Sequence, residues 1–226
     1  MLKKAQISLG AVLLLAGVVV AGSAFDQSIW SNVRADQDAQ RVGDEIAASF
    51  ADPSGGETAT ATVPVEAESG ATFSAIGLVY IPRLKADVWG TPLISGTSER
   101  DLAIGIGHYE SSAGPGEVGN FAIAGHRATN GEPFARFEKL AAGDEVIVQT
   151  SAGYFTYKLI KNQKIQTNEI WVLAPSPEGL ETSVPQLITL TTCEPRWNST
   201  KRWAWWGELA EFSQDPPAML LEASNG

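Results

Sequence analysis

The sequence predicts a predominantly β domain, a closed barrel or sandwich of short strands, on three observations. Short apolar runs bounded by Gly, Pro and Asn recur from residue 76 onward. Several of them alternate with a period of two, as half-buried strands do. Stretches with helical periodicity are few and short, whereas a doubly wound α/β fold needs longer helices between its strands.

The elements follow in chain order. Residues 1–25 hold Lys3 and Lys4 and then a run of 19 uncharged residues from Ile7 to Phe25. About 20 apolar residues cross a bilayer as a helix, and flanking lysines stay cytoplasmic, so this segment predicts export of everything after it. Its length favours an uncleaved membrane anchor, although Gly22, Ser23 and Ala24 offer the small residues of a cleavable signal peptide. Residues 26–71 read as an extracytoplasmic stalk. Gln27 to Phe50 is expected to be partly helical, while Ala51 to Ala71 has almost no large apolar side chain and reads as a solvated tether.

The domain proper is expected over residues 72–214. Its strands read as Ile76–Ile81, Asp87–Ile94, Gly119–Gly125, Glu145–Thr150, Tyr154–Lys161, Gln186–Thr192 and Arg202–Phe212, with Ser151-Ala152-Gly153 as a hairpin turn. Short helices are expected over Ser98–Ala103, Pro133–Leu140 and Asn168–Leu173, each opening on a capping residue or a proline. Residues 215–226 form a tail.

Charge narrows the function. The 226 residues carry 16 Lys+Arg against 26 Asp+Glu, a formal charge of -10, which gives no footprint for a phosphate backbone and excludes nucleic acid as a partner. One cysteine and two histidines cannot build a structural zinc site, and no metal or cofactor is expected.

That lone cysteine is the candidate for chemistry. Exported proteins rarely keep an unpaired thiol without a use for it. Cys193 ends the apolar run from Leu187, just before Glu194-Pro195, where a side chain can open onto a groove while the sheet fixes its backbone. A cysteine nucleophile needs a proton carrier. His126 closes another strand, Asn120 to Arg127, and His108 sits in the glycine-rich turn Gly105-Ile106-Gly107-His108-Tyr109. A cation to hold an oxyanion is the third requirement; Arg202 lies on the next strand, nine residues beyond Cys193, with Arg196 and Lys201 as rivals that spacing does not separate. Glu194 would raise the thiol pKa if it pointed the same way as Cys193.

These residues resemble a known family. Thr189-Leu190-Thr191-Thr192-Cys193 resembles the TLxTC signature of the sortases, Ala124-Gly125-His126 their histidine segment, and Arg202 the arginine of the following strand. The resemblance runs over residues 75–212, through Tyr80-Ile81-Pro82-Arg83-Leu84 and Gly114 to Asn120. Gly107-His108-Tyr109, Ala124 to Arg127, Cys193-x-Pro195 and the Cys-to-Arg interval are most similar to the class E sortases of high-GC Gram-positive bacteria.

The resemblance implies an eight-stranded closed β-barrel with a few short helices. It also implies a membrane-anchored cysteine transpeptidase that acts outside the cytoplasmic membrane. Cys193 would attack between Thr and Gly of a C-terminal LAXTG- or LPXTG-type sorting signal on a secreted protein, and an amine of the cell-wall peptide would resolve the thioacyl intermediate. His126 would be the acid/base and Arg202 the oxyanion residue. Thr192, Tyr109 and His108 would line the substrate groove, Tyr109 through the class E preference for Ala in the sorting motif. The four Trp between Trp197 and Trp206 stand where aliphatic residues are expected; they fill or cover the core, or form an aromatic wall. The segments of L,D-transpeptidases and papain-like proteases are absent, which leaves a noncatalytic anchored domain binding peptide or wall polymer as the alternative.

Overall fold

A computed structural model describes residues 35, 37–50, 62–67 and 70–224. Helix α1 (37–50) comes first. It is followed by β1 (Val63–Glu66), β2 (Thr72–Tyr80), β3 (Trp89–Ser95), α2 (Glu99–Leu102), β4 (Ile106–His108), β5 (Gly119–Ala124), β6 (Glu145–Thr150), β7 (Gly153–Gln166), β8 (Gln186–Glu194), β9 (Lys201–Ser213) and α3 (Ala218–Ser224).

Eight of the nine strands among the described residues form a closed ring in the order β2-β3-β4-β5-β8-β9-β7-β6, and β6 returns to β2. The pairs β3 with β4 and β5 with β8 are parallel, and the others are antiparallel. Closure depends on Gly77, because a Cβ there would fall 1.9 Å from the Gln149 carbonyl oxygen of β6. Only a residue without a side chain lets the two strands approach.

The ring is filled by one apolar cluster that includes Val79, Leu93, Ile106, Phe121, Ile123, Val148, Ile188, Leu190 and Trp205. Tyr157 is buried there with its hydroxyl accepting a 2.7 Å hydrogen bond from the Gly116 amide. Side chains alternate along a strand, so Ile188 and Leu190 turn inward while Thr189, Thr191 and Cys193 belong to the outer face of β8. Ala204 and Trp206 occupy the same outer face of β9, packed with Ile165 and Val172.

The described part of the expected stalk is folded onto the domain. Val42 and Ile46, one turn apart on α1, are fully buried with Val65, Phe73, Leu78 and Ile94, and β1 pairs with β2. Each such side chain contributes about 1.5–3 kcal/mol on leaving water. The folded unit therefore begins upstream of residue 72, because a few well-spaced apolar residues suffice in a stretch whose average composition is polar.

Ser98–Ala103 is a capped turn of helix, with the Ser98 side chain and Asp101 satisfying each other's backbone amides. Pro133–Leu140 and Asn168–Leu173 shrink to the 3-10 turns Phe137–Lys139 and Ile170–Leu173. The tail holds α3. No helix among the described residues is long and apolar enough to cross a membrane, and the expected anchor at 7–25 lies outside those residues.

Candidate active site

Three neighbouring strands, β5, β8 and β9, carry the candidate residues to one end of the ring. Cys193 faces Arg202 directly in the antiparallel β8–β9 register. Opposed residues project from the same face, with Cβ atoms about 4.5–5.5 Å apart. The register separates the three cations. Lys201 is exposed opposite Glu194, and Arg196 pairs with Glu132 on the loop after His126. The half-buried Arg202 guanidinium donates to the Ser199 and Lys201 carbonyls at 3.1 and 3.0 Å, so its own loop holds it.

His126 arrives by the parallel β5–β8 pair. Ala124 lies opposite Thr191, the Gly125 amide donates to the Thr191 carbonyl at 3.2 Å, and Thr192 Oγ1 donates to the Gly125 carbonyl at 2.8 Å. Continued two residues past the end of β5, this register carries His126 level with Cys193. The close fit requires Gly125, where a Cβ would come within 2.7 Å of the Phe134 ring. The His126 Nε2 atom is buried and has no hydrogen-bond partner among the described residues. Burial pushes the imidazole pKa below its usual 6.5, against a smaller opposing pull from the Glu99 carboxylate on α2. The neutral imidazole therefore predominates at neutral pH.

The expected groove residues divide. The Tyr109 hydroxyl meets Thr191 Oγ1 at 3.1 Å, so the ring reaches the outer face of β8 two residues from Cys193. His108, one residue earlier, turns the opposite way. It is 7% exposed, packs against Phe121, and its Nε2 donates to the Ala113 carbonyl at 3.0 Å with Ser112 Oγ at 3.1 Å. Consecutive residues of a strand face opposite sides, and His108 therefore does not line the groove. Thr192 is likewise buried, on the inner face of β8; instead of lining the site it clamps the residue before His126.

Glu194 also points away from Cys193. Its carboxylate pairs with Arg127 and with Lys164, the latter at 2.6 Å. Burial pushes this carboxyl up, but the Lys164 and Arg127 hydrogen bonds and charges outweigh it and hold the pKa below the usual carboxylate range. The tryptophans serve several ends. Trp205 fills the ring, Trp206 stacks on Trp171 outside it, Trp203 packs on Phe137, and Trp197 stands 76% exposed. Among the described residues no cluster of three His, Cys, Asp or Glu is placed to hold a metal ion.

Sequence reading had no signal for the Tyr109–Thr191 hydrogen bond or for the contact of Arg127 with the cysteine strand. Arg127 Nη1 donates to the Cys193 carbonyl at 3.3 Å, a contact made across 66 residues of chain.

Comparison with known proteins identifies the family. The sortase domain family model matches residues 79–210. Sortase SrtE1 of Streptomyces coelicolor is 32% identical over 213 residues, which cover 90% of this chain; the chain spans 57% of that relative's length. The structure of sortase E from Streptomyces avermitilis superposes with a TM-score of 0.57 at 38% identity, covering 63% of this chain and 93% of that one. Sortase E1 from Streptomyces coelicolor with a tripeptide in its active site gives 0.56 at 33% identity, covering 63% and 96%. With the family model matching more than half of the sequence, the chain belongs to the sortase family of cysteine transpeptidases and is similar to its class E members.

Proposed function

We propose that this sortase cleaves a C-terminal LAXTG- or LPXTG-type sorting signal between Thr and Gly and transfers the secreted protein to an amine of the cell-wall peptide. In the minor fraction of molecules where His126 holds the Cys193 proton, the thiolate attacks the threonine carbonyl carbon. As the tetrahedral intermediate collapses, the C–N bond to glycine breaks and the His126 imidazolium gives its proton to the leaving amine. The threonine is then held as a thioester on Sγ. An incoming amine attacks that thioester, His126 removes its proton, a new amide forms and the thiolate is released. Arg202 offers its planar N–H donors to the oxyanion of both tetrahedral intermediates.

The observation that carries this reading is the order β5-β8-β9, whose ends on one side of the ring carry His126, with Nε2 unpartnered among the described residues, the chain's single thiol and Arg202. The tripeptide in the active site of the Streptomyces coelicolor relative supports a peptide substrate. We assign Tyr109, which reaches the cysteine strand through Thr191, to contact with the sorting peptide. The apolar run at 7–25 is assigned as a single-pass anchor that leaves the N-terminus cytoplasmic and the domain outside.

Incubating the chain with LAXTG and LPXTG peptides plus an oligoglycine or wall-peptide amine tests the reading. Mass spectrometry should show an acyl adduct on Cys193 and a transfer product, and Cys193→Ala should yield neither. Cleavage that survives in Cys193→Ala, or no adduct with either peptide, contradicts it.

A further inference from the structure

Beneath the candidate site lies a second pair of residues on the same two strand ends. The parallel register that carries His126 level with Cys193 also sets Arg127 beside Glu194, with alternation turning this second pair to the opposite face. Arg127 is 7% exposed, and its guanidinium is shared three ways. Nη1 meets the Glu194 carboxylate and donates to the Cys193 carbonyl at 3.3 Å, while Nη2 donates to Glu138 at 3.0 Å. Lys164 grips the other Glu194 oxygen at 2.6 Å. Both cations lie over the Trp203 ring, at 5.2 and 4.5 Å from its centroid. A second tie between the same two loops, Glu132 with Arg196, stands beside this network, and Glu132 holds a left-handed backbone with φ of 46°.

We propose that Arg127 is a positioning residue of the transpeptidase reaction: paired with Glu194 and bonded to the Cys193 carbonyl, it fixes the relative placement of the His126 and Cys193 side chains. Because 126 adjoins 127 and 193 adjoins 194, each end of the ion pair is one peptide unit from a reacting group. A buried guanidinium is located by the donors that are matched, and here two carboxylates and a carbonyl match Nη1 and Nη2, while Nε is buried without a partner among the described residues. Displacing either strand end by about 1 Å costs on the order of 10²-fold in rate, because proton transfer and attack depend on near-contact geometry. The proposal rests on the transpeptidase reading above and adds to it the residue that sets the spacing.

The experiment uses the full chain and its Arg127→Ala, Arg127→Lys and Glu194→Gln variants, with Arg83→Ala as control, since Arg83 forms an exposed bidentate pair with Asp144 between the turn after β2 and the start of β6. For each, kcat and KM for peptide transfer, the pH profile of kcat/KM and the melting temperature are measured. Transfer by the parent chain is established first, so its absence counts against the transpeptidase reading and leaves the positioning question apart.

Arg127→Ala should lower kcat roughly 10- to 100-fold with KM changed less than about twofold. Arg127→Lys, which keeps the buried charge and hence the fold, should lose less, and Glu194→Gln less again. The pH profile should shift in the Arg127 and Glu194 variants and stay put in Arg83→Ala. Arg127→Ala combined with Glu194→Ala should lose no more than Arg127→Ala alone, as coupled residues do. The proposal is overturned if Arg127→Lys and Glu194→Gln keep kcat within about twofold of the parent, whatever happens to melting temperature, or if the loss falls on KM alone.

Discussion

The two histidines make a natural experiment in what distinguishes a reactive group from a structural one. Both follow short buried strands of the same ring, His108 at the end of β4 and His126 just beyond β5. In both, burial is the largest influence and lowers the imidazole pKa, so electrostatics alone do not separate them. What separates them is hydrogen bonding and direction. His108 Nε2 is engaged by the Ala113 carbonyl and Ser112, on the inner face, whereas His126 Nε2 has no partner among the described residues and lies on the cysteine's side. A ring nitrogen already committed to a backbone carbonyl has nothing to exchange with a substrate.

The comparison can be broken at the strand ends. Arg202→Ala removes donors from the His126 end alone and should cost about two to three orders of magnitude in kcat, with Arg202→Lys retaining part because charge survives while the planar fork is lost. Steady-state transfer kinetics read both. A smaller effect is expected from Thr192→Val, which deletes the 2.8 Å bond to the Gly125 carbonyl and leaves that buried acceptor unmatched. The loss should be about 1–3 kcal/mol of stability together with a fall in kcat as His126 loosens. Ser112→Ala, which removes the matching partner of His108, should leave kcat unchanged.

The smallest effect concerns pH and stability. Folded-state pKa values below 6.5 at both histidines mean that the unfolded chain takes up protons first. Their contribution is complete above about pH 6.5 and is lost as pH falls through that value toward the folded pKa. Glu138 and Glu194, held below the usual 4.5, extend the loss at lower pH. Urea denaturation between about pH 7.5 and 5.5 should show declining stability, and His108→Gln should flatten the decline.

Much of this was legible in the sequence, and the exceptions have physical causes. The strand-end positions of Cys193, His126 and Arg202 could be read because each closes or opens a long apolar run, while the preference for Arg202 over Arg196 and Lys201 came from the family resemblance. Strands β1 and β4, with four and three residues, are too short to show a period of two. Without β4 there was no register from which to see that His108 and Tyr109 face opposite ways. Helix α1 escaped notice as part of the domain because its buried stripe rests on Val42 and Ile46 within a polar stretch. The Arg127–Glu194 pair joins positions 67 residues apart, and only the parallel β5–β8 register brings them together. Glu194 drew attention as an odd neighbour for a thiol, yet nothing local reveals that two cations hold it on the far side.

The account stands on the assignment of proton transfer to His126, and the most direct measurement compares His126→Ala with His108→Ala in peptide transfer, with alkylation of Cys193 followed in parallel. His126→Ala should lose about two to four orders of magnitude in kcat while Cys193 still alkylates, and His108→Ala should keep a kcat near the parent's. A dead His108→Ala beside a nearly normal His126→Ala would contradict the assignment.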